Sequence, residues 1–96
     1  MDKKNRKTLR QIYADPDKTF TRWIDVEHLC AALGGDAVWT DKHHLELRLN
    51  GQHESFKTPE DKSARLDAKD GEQLRSFFAS AGVTASMADA NGGDSQ

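Results

Sequence analysis

The sequence has one cysteine, two prolines and no apolar run near the roughly 20 residues that a membrane span requires. A single cysteine, Cys30, cannot form an internal disulfide or build a thiolate zinc site, which favours a reducing cytoplasm. The charged N-terminus has no hydrophobic segment behind it, so we expect neither secretion nor membrane insertion. A glycine-rich phosphate loop, a metal-ligand spacing and a serine nucleophile motif are also missing, and we predict no cofactor and no metal.

What is present is a polar chain with room for one domain. Of its 96 residues, 35% are hydrophobic and 31% charged, and the formal net charge is -2. Charges balance over residues 1–80, which does not indicate a protein that depends on non-specific attraction to phosphate. We predict a basic, flexible N-terminus at residues 1–6, a folded domain at 7–83 and a disordered C-terminal tail at 84–96.

Apolar residues recur at helical spacing in three segments. The predicted helices cover about residues 8–14, 23–33 and 68–81. Asp15-Pro16-Asp17 ends the first, because proline cannot continue the hydrogen-bond ladder, and Gly34-Gly35 and Gly82 end the others. Thr21 is expected to cap the second helix.

The middle of the chain changes to a period of two, which predicts strands. Residues 44–49 alternate strictly, with three leucines on one face and His44, Glu46 and Arg48 on the other. Asn50-Gly51 predicts a tight hairpin turn into a strand at about 52–57, and the apolar run 37–39 supplies a further strand. The expected fold is α+β: a small three-stranded antiparallel sheet with helices on one face, in the order α-α-β-β-β-α.

The polar face of this hairpin is where we expect chemistry. Cleavage of RNA without a metal needs a base for the 2′-hydroxyl and cations that stabilise the charged phosphorus centre. His43 or His44 could act as the base, with Lys42 and Arg48 as the cations. A histidine at a strand start is also a common surface residue, so spacing alone leaves both interpretations open.

Several segments together resemble one protein family. They are KTLRQIYADP at 7–16, RWIDVE at 22–27, ALGG at 32–35, LNG at 49–51, FKTP at 56–59, LRSFF at 74–78 and AGV at 81–83. In order and spacing they resemble the HicA-family toxins of bacterial type II toxin–antitoxin systems, over nearly all of the predicted domain.

The resemblance implies an α+β fold like that of double-stranded-RNA-binding domains and the activity of an mRNA interferase, a metal-independent endoribonuclease that arrests translation. It also implies a HicB-like antitoxin partner that covers the active site. The family's catalytic histidine begins the second strand in a Gly-Ser-His segment. His44 matches that position, His43 and Lys42 stand where the serine and glycine would be, and a shift of one would select His43. Lys42, Arg48 and Lys57 are then the expected RNA contacts.

Two other functions remain open. A family member with the same fold but without catalysis would bind RNA or an antitoxin-like protein through the open sheet face. An interaction domain unrelated to RNA is the third possibility.

Overall fold

The structure is a computed structural model that describes residues 1–14 and 21–88. Its elements are α1 (Lys3–Tyr13), α2 (Trp23–Ala32), β1 (Asp36–Asp41), β2 (His44–Leu49), β3 (Gln52–Lys57), α3 (Ala68–Ser80) and a 3-10 turn (Ala85–Ala88). The predicted α+β class and the α-α-β-β-β-α order are confirmed, with one antiparallel sheet in the order β1-β2-β3. No helix in the described part of the chain is long and apolar enough to cross a membrane.

The alternation in β2 gives the sheet two faces. The buried face carries the leucines of β2, and the open face carries His44, Glu46 and Arg48. Leu45, Leu47 and Leu49 are buried, and Leu45 lies opposite Phe56 of β3. Helices α2 and α3 pack on this side of the sheet. A buried aromatic series joins the layers: the ring of Trp23 lies 6.1 Å from that of Phe56, which lies 6.0 Å from that of Phe77. The core is therefore formed where α2, β3 and α3 meet.

The structure differs from the predicted boundaries at both ends of the chain. Helix α1 begins at Lys3, five residues earlier than its apolar periodicity predicts, because the Asp2 carboxylate caps it by accepting the Asn5 N–H at 2.9 Å. Residues 3–6 are thus helical. At the other end, residues 85–88 of the predicted tail form a 3-10 turn, from which Met87 packs against the core. The turn at Asp15-Pro16-Asp17 and residues 89–96 lie outside the described residues.

The predicted cap of α2 is wrong. The N-cap is Arg22 and not Thr21, since the Asp25 carboxylate accepts the Arg22 backbone N–H at 3.1 Å. Thr21 is fully buried instead, and its hydroxyl donates to the Gln11 side-chain oxygen at 3.3 Å. The acid at the third helical position therefore supplies the capping contact that the threonine was expected to make.

The loop that follows α2 approaches the backbone of β2 closely. Gly34 turns the chain with a φ of 92°, and a Cβ placed on Gly35 would lie 2.3 Å from the Arg48 carbonyl oxygen. The buried Cys30 thiol donates to the Asp36 carbonyl at 3.5 Å, and burial raises its pKa to about 11. Cys30 is therefore a small core residue, protonated at neutral pH.

We expect Gly35→Ala to destabilise the fold by about 1–3 kcal/mol, because the new methyl group must displace backbone. Urea unfolding measures the change. Gly71→Ala is the matched control: its Cβ would meet only the Arg75 side chain at 3.6 Å. In a helix, alanine at that position should stabilise by up to about 1 kcal/mol. Equal effects of the two substitutions would contradict the close approach of α2 to β2.

Asn50 combines two roles that substitutions can separate. It adopts a φ of 50° in the β2–β3 turn, and its side-chain amide donates to the Ala81 carbonyl at the end of α3 at 2.7 Å. Asn50→Gly keeps the turn and should lose about 1 kcal/mol in the free energy of unfolding. Asn50→Ala should lose more, because alanine also strains the turn. Equal stability of the two variants, measured in urea, would show that the backbone conformation contributes nothing.

Candidate active site on the open sheet face

The predicted catalytic histidines lie at the tight turn that joins β1 to β2. Asp41 and His44 face each other across the two-residue loop Lys42-His43. The Asp41 carboxylate accepts the His43 backbone N–H at 2.7 Å, a local contact that favours the turn. A register irregularity between Trp39 and Asp41 interrupts β1 just before it. Such irregularities change the direction in which the following side chain points, and here that side chain is Asp41.

His44 is held by an acid through one ring nitrogen. Its Nδ1 lies 2.9 and 3.1 Å from the two Asp41 carboxylate oxygens, and its side chain is 43% exposed. The contact fixes the ring orientation and leaves Nε2 as the atom that can exchange a proton with a bound molecule. The His43 backbone N–H, followed by the hydrogen bond to His44, lowers the pKa of Asp41. Asp41 therefore remains a carboxylate at neutral pH.

Two lysines flank His44, one in β3 and one in the loop that precedes β2. Lys57 is its direct partner in β3, and Lys42 is in the adjoining loop; both are exposed. The Thr58 backbone N–H donates to the His43 carbonyl at 2.6 Å and continues the strand pairing past Lys57. Side chains directly opposite in an antiparallel pair share a face. Asp41, His44 and Lys57 thus form a row across the three strands, with the imidazole between a carboxylate and a lysine.

Arg48 lies apart from this row. It is four residues along β2 from His44, about 13 Å at the usual rise of a strand. Its guanidinium donates to a Glu46 carboxylate oxygen at 3.3 Å, and His53 Nδ1 lies 3.9 Å from the other oxygen. The pairing of Arg48 with His53 places His53 on the open face, which the sequence had left undetermined.

The structure therefore brings together only part of the predicted site. Lys42, His44 and Lys57 lie at one end of the sheet, whereas Arg48 lies toward the other. His43 forms hydrogen bonds through its backbone, since its N–H donates to the Asp41 carboxylate and its carbonyl accepts from the Thr58 N–H. The prediction missed Asp41. The signal was present, since an aspartate and a histidine on either side of a two-residue loop become direct neighbours.

Within residues 1–14 and 21–88, no three histidine, cysteine, aspartate or glutamate side chains are grouped so that they could hold a metal ion. Cys30 is buried in the core, and His28 is exposed on α2. The open face thus offers acid–base groups and lysines.

The chain matches no protein-family model, no curated protein and no solved structure. Function must therefore be inferred from the side chains of the open face and from the family resemblance of the sequence segments.

The contacts of Asp41 predict its titration. Because its pKa is lowered in the folded protein, the contribution of these contacts is present above the ordinary aspartate pKa and is lost as pH falls through the lowered value. Carbon-detected NMR should give an Asp41 midpoint below that of an unstructured aspartate. In His44→Ala the midpoint should rise partway, since the His43 N–H still donates. An unchanged midpoint in this variant would show that the imidazole does not interact with Asp41.

Proposed function

We propose that the protein is a metal-independent endoribonuclease in which His44 is the general acid/base. The observation that supports it best is the imidazole held by Asp41 on the open face, with Lys57 opposite. Together with the resemblance to HicA toxins, this favours the toxin of a type II toxin–antitoxin pair that cleaves mRNA in the cytoplasm and arrests translation.

The proposed reaction uses the RNA's own 2′-hydroxyl as nucleophile. His44 Nε2 takes the 2′-hydroxyl proton, the oxygen attacks the adjacent phosphorus, and the bond to the 5′-oxygen breaks to leave a cyclic phosphate. Asp41 orients the ring and stabilises the imidazolium that forms. Lys57 and Lys42 balance the negative charge that develops on the phosphorus oxygens. His43 is the second candidate, as the acid that protonates the leaving 5′-oxygen or as the base itself.

A HicB-like antitoxin would inhibit this activity by covering the open face. Val38 lies on that face in the edge strand β1, opposite Glu46, and is 48% exposed. It is the exposed large apolar side chain of the described residues, and a protein partner would bury it. The mixed charges around it suit a polar protein surface.

One observation favours the second candidate, a module that binds RNA or an antitoxin-like protein without cleaving. Glu46 pairs with Arg48, and Asp36 lies directly opposite Arg48 in β1. These acids offset the cations that a long RNA substrate would contact. Under this alternative, Arg48 positions Glu46 toward a protein partner.

The decisive experiment incubates purified protein with labelled single-stranded RNA in EDTA. We expect wild-type protein to cleave and His44→Ala to lose about 10²- to 10⁴-fold in rate, the usual contribution of a general acid or base. Asp41→Asn should lose less, since the imidazole remains but is no longer oriented by a charge. His53→Ala is the matched control, because His53 shares the face and contacts Glu46 but not Asp41.

Cleavage by His44→Ala and His43→Ala at the wild-type rate would contradict the assignment of the acid/base. If the wild-type protein binds the same RNA, measured by fluorescence anisotropy, but leaves it intact, the non-catalytic module is the correct function.

A further inference from the structure

A polar recess lies on the helical side of the molecule, away from the open sheet face. It has a volume of about 260 Å³ and is enclosed by α1 and the first turn of α2. Its walls are polar or charged side chains throughout: Lys4, Lys7, Thr8 and Gln11 of α1, with Arg22 and Asp25 of α2. Lys4, Thr8 and Gln11 follow one another at helical spacing and so line one wall.

The recess carries an excess of positive charge. Three cations, Lys4, Lys7 and Arg22, surround one carboxylate, Asp25. Helix α1 adds to this field, since its eleven residues include five basic side chains and no acidic one. Lys7 is exposed and forms no ion pair with any residue that the structure describes.

The single acid is already engaged. Arg22 donates Nε and Nη2 to the two Asp25 oxygens, each at 3.1 Å, and Lys4 Nζ lies 3.8 Å from one of them. Burial raises the pKa of Asp25, but the hydrogen bonds and charge of Arg22 and the charge of Lys4 outweigh it, so the pKa lies below its usual value. The carboxylate thus stays ionised and holds the Arg22 guanidinium in a fixed orientation at the wall of the recess.

The neutral side chains add hydrogen-bond donors. The Gln11 side-chain oxygen accepts from Thr21, which leaves the amide nitrogen of Gln11 to donate. A fixed guanidinium, two lysines and an amide donor together suit a compact group with several acceptor oxygens. Phosphate has this chemistry, and the recess is large enough to admit it.

We infer that this recess binds a phosphate group. The inference goes beyond the proposed ribonuclease activity and does not depend on it, because the recess is formed by α1 and α2 and shares no residue with the Asp41–His44–Lys57 row. The phosphate can come from an RNA backbone or from a free phosphate ester.

The recess and His44 lie toward the same end of the molecule. The end of α2 meets β2 at Arg48, and its start packs near His44, since Trp23 contacts Phe56 and Phe56 lies opposite Leu45. The recess is therefore at the same end of the molecule as His44, but in the helical layer and not on the sheet.

The test titrates isotopically labelled protein with inorganic phosphate at constant ionic strength and follows backbone amide shifts. Saturable shifts are expected at residues 4–11 and 22–25. Lys7→Ala should weaken binding roughly tenfold, the value of one charge-assisted hydrogen bond. Lys3→Ala is the matched control: it removes an equal charge from α1 at a position that does not line the recess, and should change affinity by no more than about twofold. The same spectra show whether each variant is folded.

A second arm identifies the source of the phosphate. Labelled single-stranded RNA is titrated, by fluorescence anisotropy, into His44→Ala protein that also carries Lys7→Ala or Lys3→Ala. Weaker RNA binding with Lys7→Ala alone supports an RNA backbone, and an effect confined to inorganic phosphate supports a free phosphate ester. Non-saturable phosphate shifts, or equal losses in the Lys7 and Lys3 variants, would overturn the inference whatever the outcome of the cleavage assay.

Discussion

Burial of every second residue of β2 is the constraint on which the other features depend. Leu45, Leu47 and Leu49 are directed to the helices, so the residues between them must face outward. A slip of one residue would bury His44 and Glu46 and expose the leucines, at a loss of about 2 kcal/mol or more for each exposed side chain. The same hydrophobic effect that builds the core therefore fixes the site on the open face.

Two tight turns and one close helix contact hold that arrangement. The Asn50 side-chain amide connects the β2–β3 turn to the end of α3 by a hydrogen bond. The Asp41 carboxylate stabilises the β1–β2 turn by accepting a backbone N–H. At the far end, Gly35 lets α2 end against the backbone of β2. These polar and steric contacts reinforce the register that burial of the β2 leucines sets.

Charge is distributed differently on the two sides of the molecule. The open face carries both acids and cations: Lys57 and Asp41 lie on either side of His44, and Glu46 pairs with Arg48. On the helical side, α1 presents basic groups without acids of its own. Catalysis requires a locally organised acid–base pair, whereas attraction of a polyanion requires an excess of positive charge. The two kinds of charge arrangement lie on different layers of the fold.

Local sequence patterns are sufficient to predict the element order, the hairpin turn and the outward position of His44. Each of these follows from local rules: a period of two, a dipeptide that tolerates positive φ, and glycines that end helices. The strict alternation that starts at residue 44 predicted a strand there, and β2 begins at His44. Its partner Asp41 follows from the same local rules, because residues on either side of a two-residue loop pair directly.

The contacts between elements could not be predicted in this way, because they join residues far apart in the chain. The packing of Met87 on the core, the burial of Thr21 beside Gln11 and the contact of Asn50 with Ala81 all join different elements. The cationic recess exists because α1 and α2 meet at a particular angle, which sets the distance of Lys4 from Asp25. Local patterns determine which face a side chain occupies, but the packing of helices determines which charges become neighbours.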